Sequence, residues 1–200
     1  MAVNLEKGQK ISLEKEAGSS LTKVIMGLGW DAKQSNTKKG GLLSGLFGSG
    51  ESNESIDLDA SCILFAGDKP VDVVYFGQLK SKDGSILHSG DNRTGKGEGD
   101  DEQVIVDLSH VPEIVTALVF TVNSFTGQTF DAVSNAYCRL LNGTNQSEIA
   151  RYTLSSQGSH TAQIMAKVYR HNGEWKMHAI GENATGRTIN DLFKPILPFL

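Results

Sequence analysis

Between Gly90 and Glu102 the chain reads GDNRTGKGEGDDE, and here five carboxylates (Asp91, Glu98, Asp100, Asp101 and Glu102) stand against two bases, Arg93 and Lys96. The formal charge of the whole chain is −4, so this stretch holds most of the excess. Two like unit charges about 5 Å apart repel by roughly 3 kcal/mol at an effective dielectric of about 20. A hard divalent cation relieves that repulsion, and calcium takes about six to eight oxygens from side chains and main chain alike. Glycine at every second position, Gly95, Gly97 and Gly99, lets the backbone fold tightly and turn its carbonyls inward, while Asp91, Asn92 and Thr94 supply oxygens ahead of them. The plain alternative is a solvated acidic loop.

A second acidic element strengthens the cation reading. Residues 56–65, IDLDASCILF, have the composition of a strand, in which side chains two apart share a face. Asp57, Asp59 and Ser61 then line one side, and two aspartates about 7 Å apart complete a cation site if the glycine-acid loop folds over them. Two better-known motifs are excluded. The run from Gly90 to Gly97 approaches the phosphate-binding pattern G-x-x-x-x-G-K-[ST], but glycine replaces the hydroxyl residue, and Asp91, Glu98 and Asp100 would repel a phosphate. The EF-hand spacing is absent, as are its flanking helices.

These acids need elements to hold them. Apolar and alternating runs predict strands over 9–13, 23–30, 58–65, 72–76, 86–89, 103–108, 117–123, 136–141, 148–154, 163–170 and 175–180. The dipeptides Asp83-Gly84 and Asn172-Gly173 predict two-residue hairpins, so the chain reads as successive antiparallel hairpins. Short helical turns are expected at 129–135 and 188–193, the second capped by Thr188 or Asn190 and stopped by Pro195 and Pro198. The fold class expected is all-β, an antiparallel two-sheet β-sandwich with one or two short helices. Its 200 residues and 38% hydrophobic content supply one core, hence a single domain over 1–200. A Gly/Ser-rich insert at about 33–55 interrupts it, carrying Leu42, Leu43, Leu46 and Phe47. An apolar tail over 188–200 is expected to dock on the sandwich or on a partner, docking on its own sandwich being the commoner outcome.

Composition excludes several functions. A mildly acidic chain without a basic stripe is no nucleic-acid binder. The start lacks a basic region followed by an apolar one, and no apolar run reaches membrane-helix length, so a cytoplasmic location is expected. Cys62 and Cys138 sit in apolar surroundings without a C-x-x-C pattern and read as reduced core residues. The five histidines lack zinc-site spacing, and no nucleophile elbow places a serine.

Taken in order, Gly27-Leu-Gly-Trp-Asp31, Asp57-Leu-Asp-Ala-Ser61, Gly90-Asp-Asn-Arg-Thr-Gly95, the run from Gly97 to Glu102, and Tyr169-Arg-His-Asn-Gly-Glu-Trp175 resemble the TerD-type tellurium-resistance and stress-response proteins. The insert and the final residues look more like the TerZ or TerX branch. The resemblance implies a calcium-binding β-sandwich holding two ions, without catalytic activity, that acts in bacterial resistance to tellurite and other stresses. Carried over by position, the implied ligands are Asp57, Asp59, Asp91, Asn92, Asp100, Asp101 and Glu102, main-chain oxygens near Gly97 and Gly99, and Asp31 from the neighbouring loop. Lys96 stands where commoner members carry an acid.

The expected partners are other stress-resistance proteins, a membrane-associated one among the options, with no nucleic acid and no small-molecule substrate. The competing reading is a metal-dependent hydrolase that uses the same acids, with His88 as the adjacent base. A third is capture of tellurium species by Cys62 and Cys138.

Overall fold

Alternation along one strand shows how the layers form. In β4 (Leu58–Ala66), Leu58, Ala60, Cys62 and Leu64 join the main core, whereas Ile63 and Phe65 join a second cluster on the opposite face. A strand buried on both faces must be covered twice. The computed structural model describes residues 2–32, 57–92, 99–153 and 158–200 and shows both covers.

The other strands are β1 (Val3–Asn4), β2 (Lys10–Ser12), β3 (Lys23–Ala32), β5 (Lys69–Val74), β6 (Ile86–His88), β7 (Glu102–Asp107), β8 (Ala117–Ser124), β9 (Val133–Asn142), β10 (Glu148–Thr153), β11 (Ala162–His171) and β12 (Glu174–Ala184). They form two six-stranded sheets among the described residues, in the orders β1-β10-β9-β3-β7-β6 and β2-β12-β11-β8-β4-β5. Val24, Met26 and Leu28 of the first sheet face Leu118, Phe120 and Val122 of the second across the main core. The outer cover of the second sheet is α2 (Ile189–Ile196), whose Leu192 and Ile196 are fully buried against Ile63, Phe65, Val119 and Ile164. The apolar tail therefore docks on its own sandwich, as its composition predicts. No helix among the described residues is long and apolar enough to cross a membrane.

The two-sheet sandwich and its strands agree with the sequence reading, with several local corrections. β1 is too short to show a period and is held by parallel pairing to β10. The segment expected to end as strand at residue 13 turns instead into α1 (Leu13–Ala17), which Ser12 caps and a left-handed Gly18 terminates. At 129–135 only a 3₁₀ turn, Phe130–Ala132, precedes β9. α2 runs through Pro195 to Ile196, because burying Ile196 outweighs one lost backbone bond near the helix end.

The hairpins also differ from expectation. Asn172-Gly173 is the tight turn predicted, both residues having positive φ. At Asp83-Gly84 the loop spans four residues, closed by Ser81 donating to Ile86, with Asp83 Oδ1 accepting the Ser85 amide at 2.7 Å. Among the described strands, only β4–β5, β6–β7, β9–β10 and β11–β12 pair as chain neighbours, and the other consecutive strands lie in different sheets. The insert at about 33–55, with Leu42, Leu43, Leu46 and Phe47, lies outside the described residues.

Candidate metal centre

At one end of the sandwich β4 outruns β5, whose last residue Val74 pairs with Cys62. Ala60 is left at an open edge with a backbone N–H and C=O to satisfy in a buried place. The other sheet supplies both partners. Glu102, fully buried at the start of β7, accepts the Ala60 amide at 2.7 Å, and Nε2 of His88 on β6 lies 3.2 Å from the Ala60 carbonyl. Glu102 also accepts the Asn92 amide at 3.1 Å and lies 3.4 Å from His88 Nε2. Since the Gly90 amide donates to His88 Nδ1 at 3.1 Å, the ring proton belongs on Nε2, facing those oxygens. These bonds stitch the sheets together and fix the loop that carries Asp91 and Asn92.

Asp57, Asp59 and Asp91 meet over this stitch, with one carboxylate oxygen from each within 4.8 Å of the others. Asp59 is 4% exposed, and its Oδ2 is buried with no hydrogen-bond donor among the described residues. Burial, then the charges of Asp57, Glu102 and Asp91, push its carboxyl up to about 7, against a lowering hydrogen bond from the Phe125 backbone. A buried carboxylate oxygen without a donor, crowded by two further acids, fits a cation held by hard oxygens. The triad joins the two acidic motifs that the sequence set in distant segments.

The remaining implied ligands have other surroundings. Asp101 accepts the Trp30 amide at 2.8 Å and the Asn92 side-chain amide at 2.9 Å. Burial, aided by Asp31, Glu102 and Asp100, holds its carboxyl above the usual range despite the Trp30 bond. Asp100 turns the opposite way, its side chain wholly buried: Arg139 Nε donates to it at 2.7 Å, Tyr137 Oη at 3.1 Å and Gln103 Nε2 at 3.0 Å. The Gly99 carbonyl accepts Tyr137 Oη at 2.8 Å. Asp31 is exposed and accepts the Asn135 side-chain amide at 2.8 Å. Gly97 and Lys96 lie outside the described residues.

Two glycines in β3 make the Asp100 anchor possible. A Cβ on Gly27 would fall 2.1 Å from Asp100 Oδ2, and one on Gly29 2.5 Å from the Tyr137 ring. Sequence reasoning missed this anchor, the His88 and Glu102 stitch, and the Phe125 amide. Each depends on which strands lie side by side, and no local pattern reports that.

The comparisons with known proteins agree with this architecture. The TerD domain family matches residues 1–194. The chain is 48% identical to the tellurium resistance protein TerZ of Serratia marcescens over 98% of its length and 97% of that protein's. It is 40% identical to the stress response protein SCP2 of Bacillus subtilis, covering 96% and 98% of the two chains. A solved structure of a Streptomyces coelicolor homologue of the telluride resistance protein TerD superposes with a TM-score of 0.64 at 24% identity, covering 84% of this chain and 92% of the other, which speaks for the fold alone. The sandwich, the order of its acidic motifs and these similarities place the chain in the TerD-domain family, whose relatives are named as tellurium-resistance and stress-response proteins.

Proposed function

We propose that the chain is a calcium-binding, non-enzymatic module of the cytoplasm. In this reading it acts in tellurite and general stress resistance as a scaffold or signalling component for other stress-resistance proteins. The observation that carries the reading is Asp59 Oδ2, buried without a donor among the described residues and crowded by Asp57 and Asp91. These three residues would hold the ion, and the ion would supply the positive charge that the site lacks. Two ions are expected from the family resemblance, with Asn92, Asp101 and Glu102 next to the triad. The stoichiometry of a titration separates one from two.

The hydrolase reading has less support. Both nitrogens of His88 already engage backbone groups, which leaves the adjacent base no lone pair for water. Thiol capture of tellurium fares similarly: Cys62 and Cys138 are wholly buried, and burial pushes both thiols well up, Cys138 to about 12.

The test is calcium titration followed by calorimetry and thermal melting. A ligand at about a hundredfold excess over its Kd stabilises the fold by about 2.7 kcal/mol, a rise of about 5 to 10 °C for a chain of this size. Asp57→Asn and Asp59→Asn should abolish both the heat of binding and the rise. An unmoved melting temperature in the wild type would sink the calcium reading.

A further inference from the structure

The end of the sandwich that gathers Asp57, Asp59 and Asp91 also displays aromatic rings. Past Val74 the chain turns at Tyr75–Gln78, closed by reciprocal backbone bonds of 3.1 and 2.9 Å. The register of β5 on β4 aims this turn toward Asp59. β8 ends with Ser124 opposite Leu58 and delivers Phe125 to the same place. Phe76 and Phe125 are 37% and 49% exposed, and they meet edge to face with centroids 6.0 Å apart. Two phenyl rings that pack on each other and still keep this much surface in water form an apolar tip with something left to cover.

Phe125 also ties this tip to the metal centre. Its backbone amide donates to Asp59, and its carbonyl accepts Nε of Arg187 at 3.1 Å. Arg187 is exposed and has no acidic partner for its guanidinium among the described residues. A divalent-cation centre, an arginine and two phenyl rings thus stand together on two turns and a strand end.

We propose that this tip is a calcium-dependent docking surface for an anionic lipid bilayer, a proposal that rests on the calcium reading above. Without the cation, the three carboxylates repel anionic headgroups. The cation and Arg187 together offset those carboxylates, so that lipid phosphate oxygens can join the cation's ligands while Phe76 and Phe125 enter the interfacial layer. The shape favours a bilayer over a peptide. The rings ride on turns, and the cleft at this end is lined by polar residues such as Ser89, Asp91, Asn92 and Gln103. Peptide recognition needs a groove or an open sheet edge, whereas a projecting aromatic pair beside positive charge suits a soft interface.

The test is co-sedimentation of the full chain with phosphatidylcholine vesicles in which about one lipid in three is phosphatidylserine, in about 1 mM calcium or in EDTA. The protein should pellet with calcium, stay in solution with EDTA, and stay in solution when the vesicles are phosphatidylcholine alone. Phe76→Ala and Phe125→Ala should each weaken partitioning about tenfold, while Phe76→Ala keeps the calcium-induced rise in melting temperature. If calcium raises the melting temperature but the protein stays in solution, or if both alanine variants pellet like the wild type, the docking proposal is overturned and the calcium reading stands. A missing rise in melting temperature removes the calcium reading and the docking surface with it.

Discussion

Asp59 is the residue on which charge, burial and function meet. In the unfolded chain its carboxyl titrates near 3.8, and in the fold near 7, so between those values the folded state binds more protons. Stability contributed by this group therefore falls as pH rises from about 4 to about 7, and is level above. Glu148 and Asp107, held below the usual range by Arg151 and by Ser109, oppose Asp59 at the acid end of this interval, where the unfolded chain still holds part of their protons. His160 and His178, held low by burial, likewise oppose Asp59, so the readout is the difference between the wild type and Asp59→Asn. In EDTA, moving from about pH 5 to about pH 8 should lower the wild-type melting temperature relative to Asp59→Asn, and saturating calcium should cancel that relative loss. An identical pH dependence in the two proteins would show that Asp59 does not titrate in this window. The acids themselves were legible from type and spacing. Their aim was not, because a backbone amide from Phe125, just past β8, and a guanidinium from Arg139 on β9 decide it, and both come from segments distant in sequence.

At the scale of elements, β3 lies between β7 and β9, and Gly27 within it pairs with Gln103 on one side and Arg139 on the other. The missing side chain at Gly27 gives the Asp100 carboxylate room to reach Arg139, which also reaches Glu148 at 3.3 Å. Gly27→Ala should cost about 2 kcal/mol or more, from overpacking and from displacing the buried Asp100 carboxylate from its half-buried Arg139 partner. Urea unfolding measures that loss, and a change within about 0.5 kcal/mol would mean that Asp100 can move aside cheaply. Strand positions were readable from apolar alternation, and β3 to β12 fall close to their predicted ranges. Strand neighbours were not readable, since the pairings of β3 with β9 and of β11 with β8 join segments far apart in the chain. Helix α1 escaped notice because five residues carry too little of a helical period to stand out.

For the molecule as a whole, α2 and the turn after it close the outer face of the second sheet. Ile63, Phe65, Val119, Ile164 and Ile180 depend on Leu192 and Ile196 for cover, and Lys167 donates to the Phe199 carbonyl. Ending the chain after residue 186 would bare that apolar face. The shortened protein should melt lower and self-associate, which size-exclusion chromatography at several concentrations would register. A monomer with unchanged melting would mean that the tail is dispensable. That the tail docks on its own sheet was foreseeable from its composition, whereas the face it covers became apparent only once the sheet order was known.

The margins of the two sheets bear on how this protein can assemble. β1, β6 and β2 offer two or three residues each, and β5, the longest outer strand, begins with Lys69 and a proline that has no amide to give. A neighbouring chain finds little there on which to extend a ladder. Among the described residues these margins give crowded copies little to zip along, which leaves the loops and tips at the ends of the sandwich as the open surfaces.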